Sequence, residues 1–490
     1  MSASESDFLS LVTHKIAPFQ FDLSVGAVNA SIRDQIVRAQ MVVRALWQLE
    51  QEKKPDRRLD HPLLICGAGI AGLAAADEAR RLEMGFVLVE KNSFPSGALA
   101  GTGKRYLSPT MYEWPAPLFN EHTHPRRDGS FLGAETKTGF KLAFGAPVEI
   151  GRLRKRLRSL MNPNLKQWQI DAVAGTGRYW FIPNASLTPD TKDKLQALLD
   201  VPTGHASAGG LPPIELSLAG GAKRKVQSAY MLFAGGFSAE RTEYEGFTFN
   251  TPPFWKKDRL TANYFGLRKW KDRVSAFIAG AGDGAIQDAL RCLVVPTVAH
   301  PLSLWEKIAT AADTDKAGLE PILREVLSLD NYATIAFLWS GDKDVFKSVD
   351  ERYQEMAKEL LVLVPDIMAV IACILRKDVD TVHIQRNRQF FTRCYPLNRF
   401  LIHLMETVLA ELGSDPSGRA GYPLLTFGHG KPDGARKSRN SLIWNSRVYH
   451  KVVIRTGAEN PHFQTIGLKR INPARFSFGR IPPPFMPAKI

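Results

Sequence analysis

Three glycines, Gly67, Gly69 and Gly72, stand in the spacing G-x-G-x-x-G directly after the apolar run Leu63 to Cys66 and at the head of an alanine-rich stretch. That spacing suits phosphate chemistry. The first glycine permits a tight turn, the second lets a pyrophosphate approach bare backbone, and the third lets a helix lie close on the strand. A helix starting there turns its positive end and its free N–H groups toward the phosphates. Glu90 closes the next apolar run, about 20 residues on, where a carboxylate accepts hydrogen bonds from a ribose diol. Strand, glycine turn, helix and acid agree, so the segment is read as a dinucleotide site lined by Gly67, Gly69, Ile70, Ala71, Gly72, Glu90 and Lys91. The competing structural account is a glycine turn used only for packing.

Gly280, Gly282 and Ala285 repeat the pattern as G-x-G-x-x-A after a second apolar run, Ser275 to Ala279. Asp283 puts a carboxylate inside this turn. At about 4 Å from a phosphate it would cost on the order of 4 kcal/mol at the effective dielectric of a protein surface, so a nucleotide requires it to face away. No strand ending in Glu, or in the Arg that favours a 2′-phosphate, follows within the usual distance of Gly280. Between the two turns, Tyr230 to Phe237 (YMLFAGGF) forms a further strand ending in glycines.

In order and content these segments resemble the flavoproteins with two dinucleotide-binding domains, in particular the flavin monooxygenases, over roughly residues 60 to 300. The resemblance implies a Rossmann-type α/β fold, FAD at the first turn and NAD(P)H at the second. It implies an FAD-dependent oxidoreductase, NAD(P)H-reduced and monooxygenase-like, acting on an unidentified small molecule. Three features depart from it: Asp283 inside the second turn, the missing strand end in Glu or Arg after it, and the absent redox dithiol of the disulfide reductases; the glycines and basic residues after Glu90 also match only loosely. From that region Arg105 or Lys104 is expected near the pyrophosphate, and Tyr106, Tyr112 and Trp114 are expected to form an aromatic wall near the isoalloxazine or the substrate. Catalytic residues are left unassigned, since the flavin carries the redox chemistry. An amine or amino-acid oxidase that needs no nicotinamide stays open, as does a sensor or scaffold that binds a dinucleotide without turnover.

Other polar residues carry weaker signals. Gln287 and Arg291 lie one helical turn apart, and with Asp288 they read as a solvated or interdomain face. His383, in the strand-like run Val379 to Ile384, reads as a satisfied structural histidine. His429, in a glycine-rich loop, is the better site candidate. No spaced cluster of His, Cys and carboxylates calls for a metal.

The elements that must position these residues follow from periodicity. Ile32, Ile36, Ala39, Val43 and Leu46 share one face of a helix over Ser31 to Glu50, with Ser31 and Asp34 at its start. Gly97 to Thr138 reads as a long ordered loop, Gln167 to Val173 and Tyr179 to Ile182 as strands, Thr188 to Leu199 as a helix, and Pro202 to Gly221 as an exposed excursion. A strand over Ala229 to Ala234 follows. Leu302 to Arg376 is mostly helical. The expected organisation is an N-terminal helical extension (1–60), an FAD-binding domain (61–225), a second Rossmann-like domain (226–300), a helical insertion or cap (301–395), and a return to the FAD domain with a tail (396–490). No repeat of short period is visible.

The 490 residues suffice for a large core, and 44% hydrophobic with 23% charged residues argues against wholesale disorder. Four separated cysteines with no C-x-x-C point to a reducing compartment, and the polar N-terminus lacks an apolar leader; both suggest a cytoplasmic protein. Leu360 to Leu375 is too short to span a bilayer and is broken by Pro365 and Asp366, so it reads as a buried helix. The net charge of +15 raises the question of an anionic partner, against the plainer reading of a solvated basic surface. The basic stretches Arg152 to Arg158 and Gly434 to Arg439 lack the interleaved aromatics of a single-strand binding surface, so a small-molecule substrate is expected rather than nucleic acid. Oligomeric state is left open.

Overall fold

The computed structural model describes residues 14–23, 32–53, 61–95, 105–107, 148–200, 211–236, 240–267, 272–311, 316–340, 342–391, 394–414, 421–432, 434–438 and 441–457. Two parallel sheets organise them. The first contains strands β1 (Lys15–Ala17), β2 (Gln20–Asp22), β3 (Leu63–Cys66), β4 (Phe86–Glu90), β5 (Tyr179–Pro183) and β6 (Tyr230–Phe233), in the spatial order β1-β2-β6-β3-β4-β5. All pairs are parallel except β1 with β2. Its helices are α1 (Ile32–Lys53), α2 (Ile70–Arg81), α3 (Ile150–Ala174) and α4 (Pro189–Asp200).

The second sheet consists of β7 (Val274–Ala279), β8 (Val379–Arg386), β9 (Leu424–His429) and β10 (Lys451–Ile454), all parallel, in the order β9-β8-β7-β10. Its helices are α5 (Asp283–Leu293), α6 (Pro301–Ala311), α7 (Lys316–Ser340), α8 (Val345–Leu363), α9 (Asp366–Ile374) and α10 (Pro396–Ser414).

Each sheet is buried on both faces, which is why its strands read as unbroken apolar runs rather than alternating ones. In the first, Leu63, Ile65, Phe86 and Leu88 face α1, α2 and α3, while Leu64, Cys66, Val87 and Val89 face the other way. That other face is covered by a three-stranded antiparallel ribbon of Ser186–Leu187, Ile214–Ser217 and Lys223–Val226. The second sheet follows the same plan: Ala276, Ile278, Val382 and Ile384 face α5 and α10, and Phe277, Ala279, Val452 and Ile454 face the ribbon Arg436–Ser438, Ser441–Trp444 and Arg447–Tyr449.

The correspondence extends to chain order. Strand, glycine turn, helix, strand, helix, strand, ribbon and closing strand run β3-α2-β4-α3-β5-ribbon-β6 in the first unit and β7-α5-β8-α10-β9-ribbon-β10 in the second. The molecule is a structural duplication of a Rossmann-type unit. The units differ in their insertions, with residues 91–149 between β4 and α3 of the first and α6 to α9 between α5 and β8 of the second; the first also carries β1, β2 and α1 ahead of β3, and α4 within its ribbon.

Several boundaries move. The N-terminal segment is more than a helical extension, because β1 and β2 extend the first sheet and α1 is tied to α2 by Arg44 and Glu78 at 3.2 Å. The strand at Tyr230–Phe233 pairs with β3 and belongs to the first unit, not the second. The described residues of 396–457 supply α10, β9 and β10 to the second unit and no strand to the first sheet, and 458–490 lie outside the described residues. Gln167 to Val173, expected as a strand, forms the last two turns of α3, whose buried Leu153, Leu157, Met161, Leu165 and Trp168 keep a helical period. Leu360 to Leu375 splits at Val364 and Pro365 into the ends of α8 and α9, with Ile367, Ile371 and Ile374 buried but Val362 and Leu363 exposed. Among the described residues no helix is long and apolar enough to cross a membrane. Most of the loop expected over Gly97 to Thr138, and Ser31, lie outside the described residues.

Candidate functional site

The first glycine turn joins β3 to α2. Gly67 takes φ +111°, and a Cβ there would lie 2.6 Å from the Ala234 carbonyl oxygen at the end of β6. Gly72 has no room for a side chain, because a Cβ would collide with the Gly67 carbonyl. Gly69 is different: its nearest neighbour is the Ala234 oxygen at 3.9 Å, so open space lies over its backbone. Gly69 also caps α2 without any side-chain hydrogen bond, leaving the first-turn N–H groups of Ile70, Ala71 and Gly72 without intrahelical acceptors. Two glycines thus shape the turn and the third keeps a bare surface at a helix N-terminus.

Glu90, at the end of β4, is buried beside this turn. Its Oε2 accepts the Ala68 N–H at 2.8 Å, and its Oε1 accepts the backbone and side-chain N–H groups of Asn92 at 2.9 and 2.6 Å. A carboxylate offers about four acceptor positions, so roughly one stays for a ribose hydroxyl. Ile70 and Ala71 are half-buried at the head of α2, and Lys91 is exposed just after Glu90.

The second turn, between β7 and α5, repeats this geometry. Gly280 takes φ +144°, and a Cβ there would strike the carbonyl of Arg455 at the end of β10, as Gly67 meets Ala234. Gly282 has nothing within 4 Å of a Cβ and caps α5 without a side-chain bond, matching Gly69. Ala285, in the place of Gly72, is fully buried. Asp283 is engaged by the protein: its carboxylate accepts from Asn398 Nδ2 at 2.5 Å, Gln287 Nε2 at 2.6 Å and the Tyr395 N–H at 3.2 Å. Burial raises its pKa against those hydrogen bonds.

The register of the two sheets identifies a residue missed in the sequence. The Gly67 N–H donates to the Val89 carbonyl, and the Gly280 N–H donates to the Gln385 carbonyl, both at 2.8 Å. Arg386 therefore stands in the second unit where Glu90 stands in the first. Its guanidinium lies 4.9 Å from the Phe391 ring and 4.7 Å from the Phe427 ring, and its buried Nε has no hydrogen-bond partner. Desolvation lowers its pKa, with Asp350 and Glu406 acting in the opposite direction. The strand carrying it does exist, but α6 to α9 separate it from Gly280 in sequence, which hid it from any spacing rule.

Other candidates fall as follows. Arg105 is not at the first turn; its guanidinium is buried against Asp288 and Asp258. Gln287, Asp288 and Arg291 are buried rather than solvated. His383 is satisfied, its ring nitrogens 2.8 Å from Thr426 Oγ1 and Gln385 Oε1, and desolvation lowers its pKa. His429 is exposed at the end of β9, paired in register with Arg386. Cys66, Cys292 and Cys394 are buried, and burial pushes the Cys66 thiol up to about 12. No metal-binding group occurs among the described residues. Trp114, Tyr112 and Lys104 lie outside the described residues, as do the side-chain surroundings of Tyr106.

Both turns fit a dinucleotide on their own geometry, each with an uncapped helix start and an open second glycine, and the register of β8 sets Arg386 one residue after the carbonyl that the Gly280 N–H meets. No protein-family model and no curated protein matches the chain. Among solved structures, it is similar to OTEMO in complex with FAD and NADP, at 9% identity over 84% of this chain and 73% of that one, with a TM-score of 0.38. It is similar to the open form of cyclohexanone monooxygenase at 11% identity, over 84% and 76%, with a TM-score of 0.37. It is also similar to bacillithiol disulfide reductase from Bacillus cereus at 11% identity, over 83% and 81%, with a TM-score of 0.32. The functional reading rests instead on the two turns.

Proposed function

We propose that this chain is an FAD-dependent oxidoreductase reduced by NADPH, with FAD in the first unit and the nicotinamide nucleotide in the second. One observation carries the reading: the same phosphate cradle occurs twice, with a carboxylate beside the first and an arginine at the matching position of the second. A carboxylate accepts from a ribose diol and repels a 2′-phosphate, whereas a guanidinium attracts one. Gly69 and Gly282 leave room for pyrophosphates, and the N-termini of α2 and α5 supply N–H donors. Glu90 would hold the FAD ribose, and Arg386 the 2′-phosphate of NADPH. When bound, FAD would supply the acceptor for the hydride of NADPH and pass the electrons to a small-molecule substrate. That chemistry takes a monooxygenase-like form.

The test begins with purified protein, from which heating should release FAD. NADPH should then bleach the flavin absorbance at far lower concentration than NADH. Arg386→Gln should raise the NADPH requirement about 10- to 100-fold, as expected for loss of a charged hydrogen bond worth roughly 1.5–3 kcal/mol, and leave NADH unchanged. Bound FAD that neither nucleotide reduces would sink the NADPH assignment and favour an oxidase reduced by its own substrate. Protein without flavin would remove both.

A further inference from the structure

A buried set of charges joins the two units. Arg105 follows β4 in the first unit, and its carbonyl accepts the Ile150 N–H at 2.9 Å where α3 begins. Its guanidinium donates to Asp288 on α5 at 2.9 Å and to Asp258 at 3.0 Å, and all three side chains are at most 2% exposed. Arg291 bonds the same two carboxylates, each at 2.9 Å. Arg455 donates from Nε to Asp288 Oδ2 at 2.8 Å and from a terminal nitrogen to Glu240 at 3.3 Å. The face of Arg105 covers the Phe254 ring at 3.8 Å. Phe254 meets Trp255 edge-on at 4.8 Å, and Trp255 packs against the core of the first unit.

We propose that this network is a lock between the units that sets the direction in which the second glycine turn faces the first, with Arg105, Asp258 and Asp288 as positioning residues. Two of its members touch the turn's own framework. Asp288 lies on the helix that the turn opens, and Arg455 supplies the carbonyl that Gly280 crosses so closely that no side chain fits. Burial would raise the Asp288 carboxyl, but the charges of Arg105, Arg455 and Arg291 hold it below the usual carboxylate range. The network therefore stays ionised, and removing one charge leaves the others buried without a counter-charge. Hydride transfer tolerates little error in the separation of donor and acceptor, so orientation between the units bears directly on its rate. The positioning role rests on the proposed NADPH reduction of FAD; the lock itself does not.

Arg105→Met tests both parts in the full-length protein. Hydrogen exchange should quicken at least tenfold in α5 and in residues 249–266, with β3 and β8 unchanged and flavin retained. At saturating NADPH the rate of flavin reduction should fall at least tenfold with a smaller change in KM, and Arg105→Lys should recover part of it. If Arg105→Met does not fold, the isosteric Asp258→Asn carries the same readouts. Faster exchange spread evenly over the chain, or an unchanged reduction rate, would overturn the proposal. A wild-type protein that NADPH does not reduce would defeat the proposed function, while the exchange pattern would still decide the lock.

Discussion

Glu90 has two duties in this fold. It accepts the Ala68 N–H inside the first turn and organises Asn92 after it, so it shapes the cradle, and under the proposed function it also holds the FAD ribose. Glu90→Gln keeps the size but replaces one acceptor oxygen with a donor. It should weaken FAD binding at least about tenfold, since charge-assisted hydrogen bonds contribute roughly 1.5–3 kcal/mol each, and fluorescence of released flavin during dialysis would measure it. Bound flavin retained at wild-type affinity would mean that other groups hold the ribose. Asp283 is a contrasting case, because its carboxylate already has Asn398, Gln287 and the Tyr395 N–H as partners. Asp283→Asn should leave NADPH affinity nearly unchanged by calorimetry while lowering thermal stability. A sharp gain in affinity would show that the native carboxylate does oppose the phosphates.

At the scale of elements, the two glycines of the second turn should behave differently. Gly280 needs a positive φ and would strike the Arg455 carbonyl, so Gly280→Ala should destabilise the protein by roughly 1–3 kcal/mol or more. Gly282 has ordinary φ and open space, so Gly282→Ala should change stability by less than about 1 kcal/mol while reducing NADPH affinity. Chemical denaturation paired with nucleotide titration separates the two effects, and equal destabilisation would contradict this division of labour. Strand β8 adds a pH dependence. The pKa of His383 is lower in the folded chain than its ordinary value of 6.5, because burial disfavours the cation. The unfolded chain then binds the extra proton first, so this contribution to stability is present above about pH 6.5 and is lost as pH falls toward the folded value. Melting temperature should therefore decline below that pH, and less steeply in His383→Gln; parallel slopes would assign the decline to other groups.

At the scale of the molecule, the helical insertion is fused to the second unit rather than resting on it. Its chain leaves and returns side by side, with the Val295 N–H donating to the Ile374 carbonyl and the Arg376 N–H to the Leu293 carbonyl, both at 2.8 Å. That exit geometry would suit a removable cap. The packing says otherwise: Arg399 of α10 pairs with Asp350 of α8 at 2.5 Å, and Phe400 meets Trp305 and Tyr353 edge-on. Helices α6 to α9 share one apolar core with β7 and β8. Hydrogen exchange should therefore show α8 and β8 opening in the same cooperative step, and replacing residues 296–375 with a short turn should leave the second unit unable to fold. Independent opening of α8 would show a separate domain.

The first cradle was legible in the sequence because its parts are local: Gly67, Gly69, Gly72 and Glu90 act through backbone conformation and the ends of two neighbouring strands joined by one short helix. The apolar strands and the helices of residues 302–376 were legible for the same reason, since their periodicity is set within a few residues. The strand assigned to Gln167–Val173 failed because a short window there cannot display the helical period that α3 shows over its full length. Only tertiary structure decided the rest. Arg386 takes the position that matches Glu90 through strand register, which ignores the intervening helices. Arg105 lies near Gly101 and Gly103 in sequence, yet its guanidinium is held by carboxylates far along the chain. The duplication of the unit likewise resides in strand order and hydrogen bonding, which different side chains satisfy equally well, so it leaves little trace in residue identities.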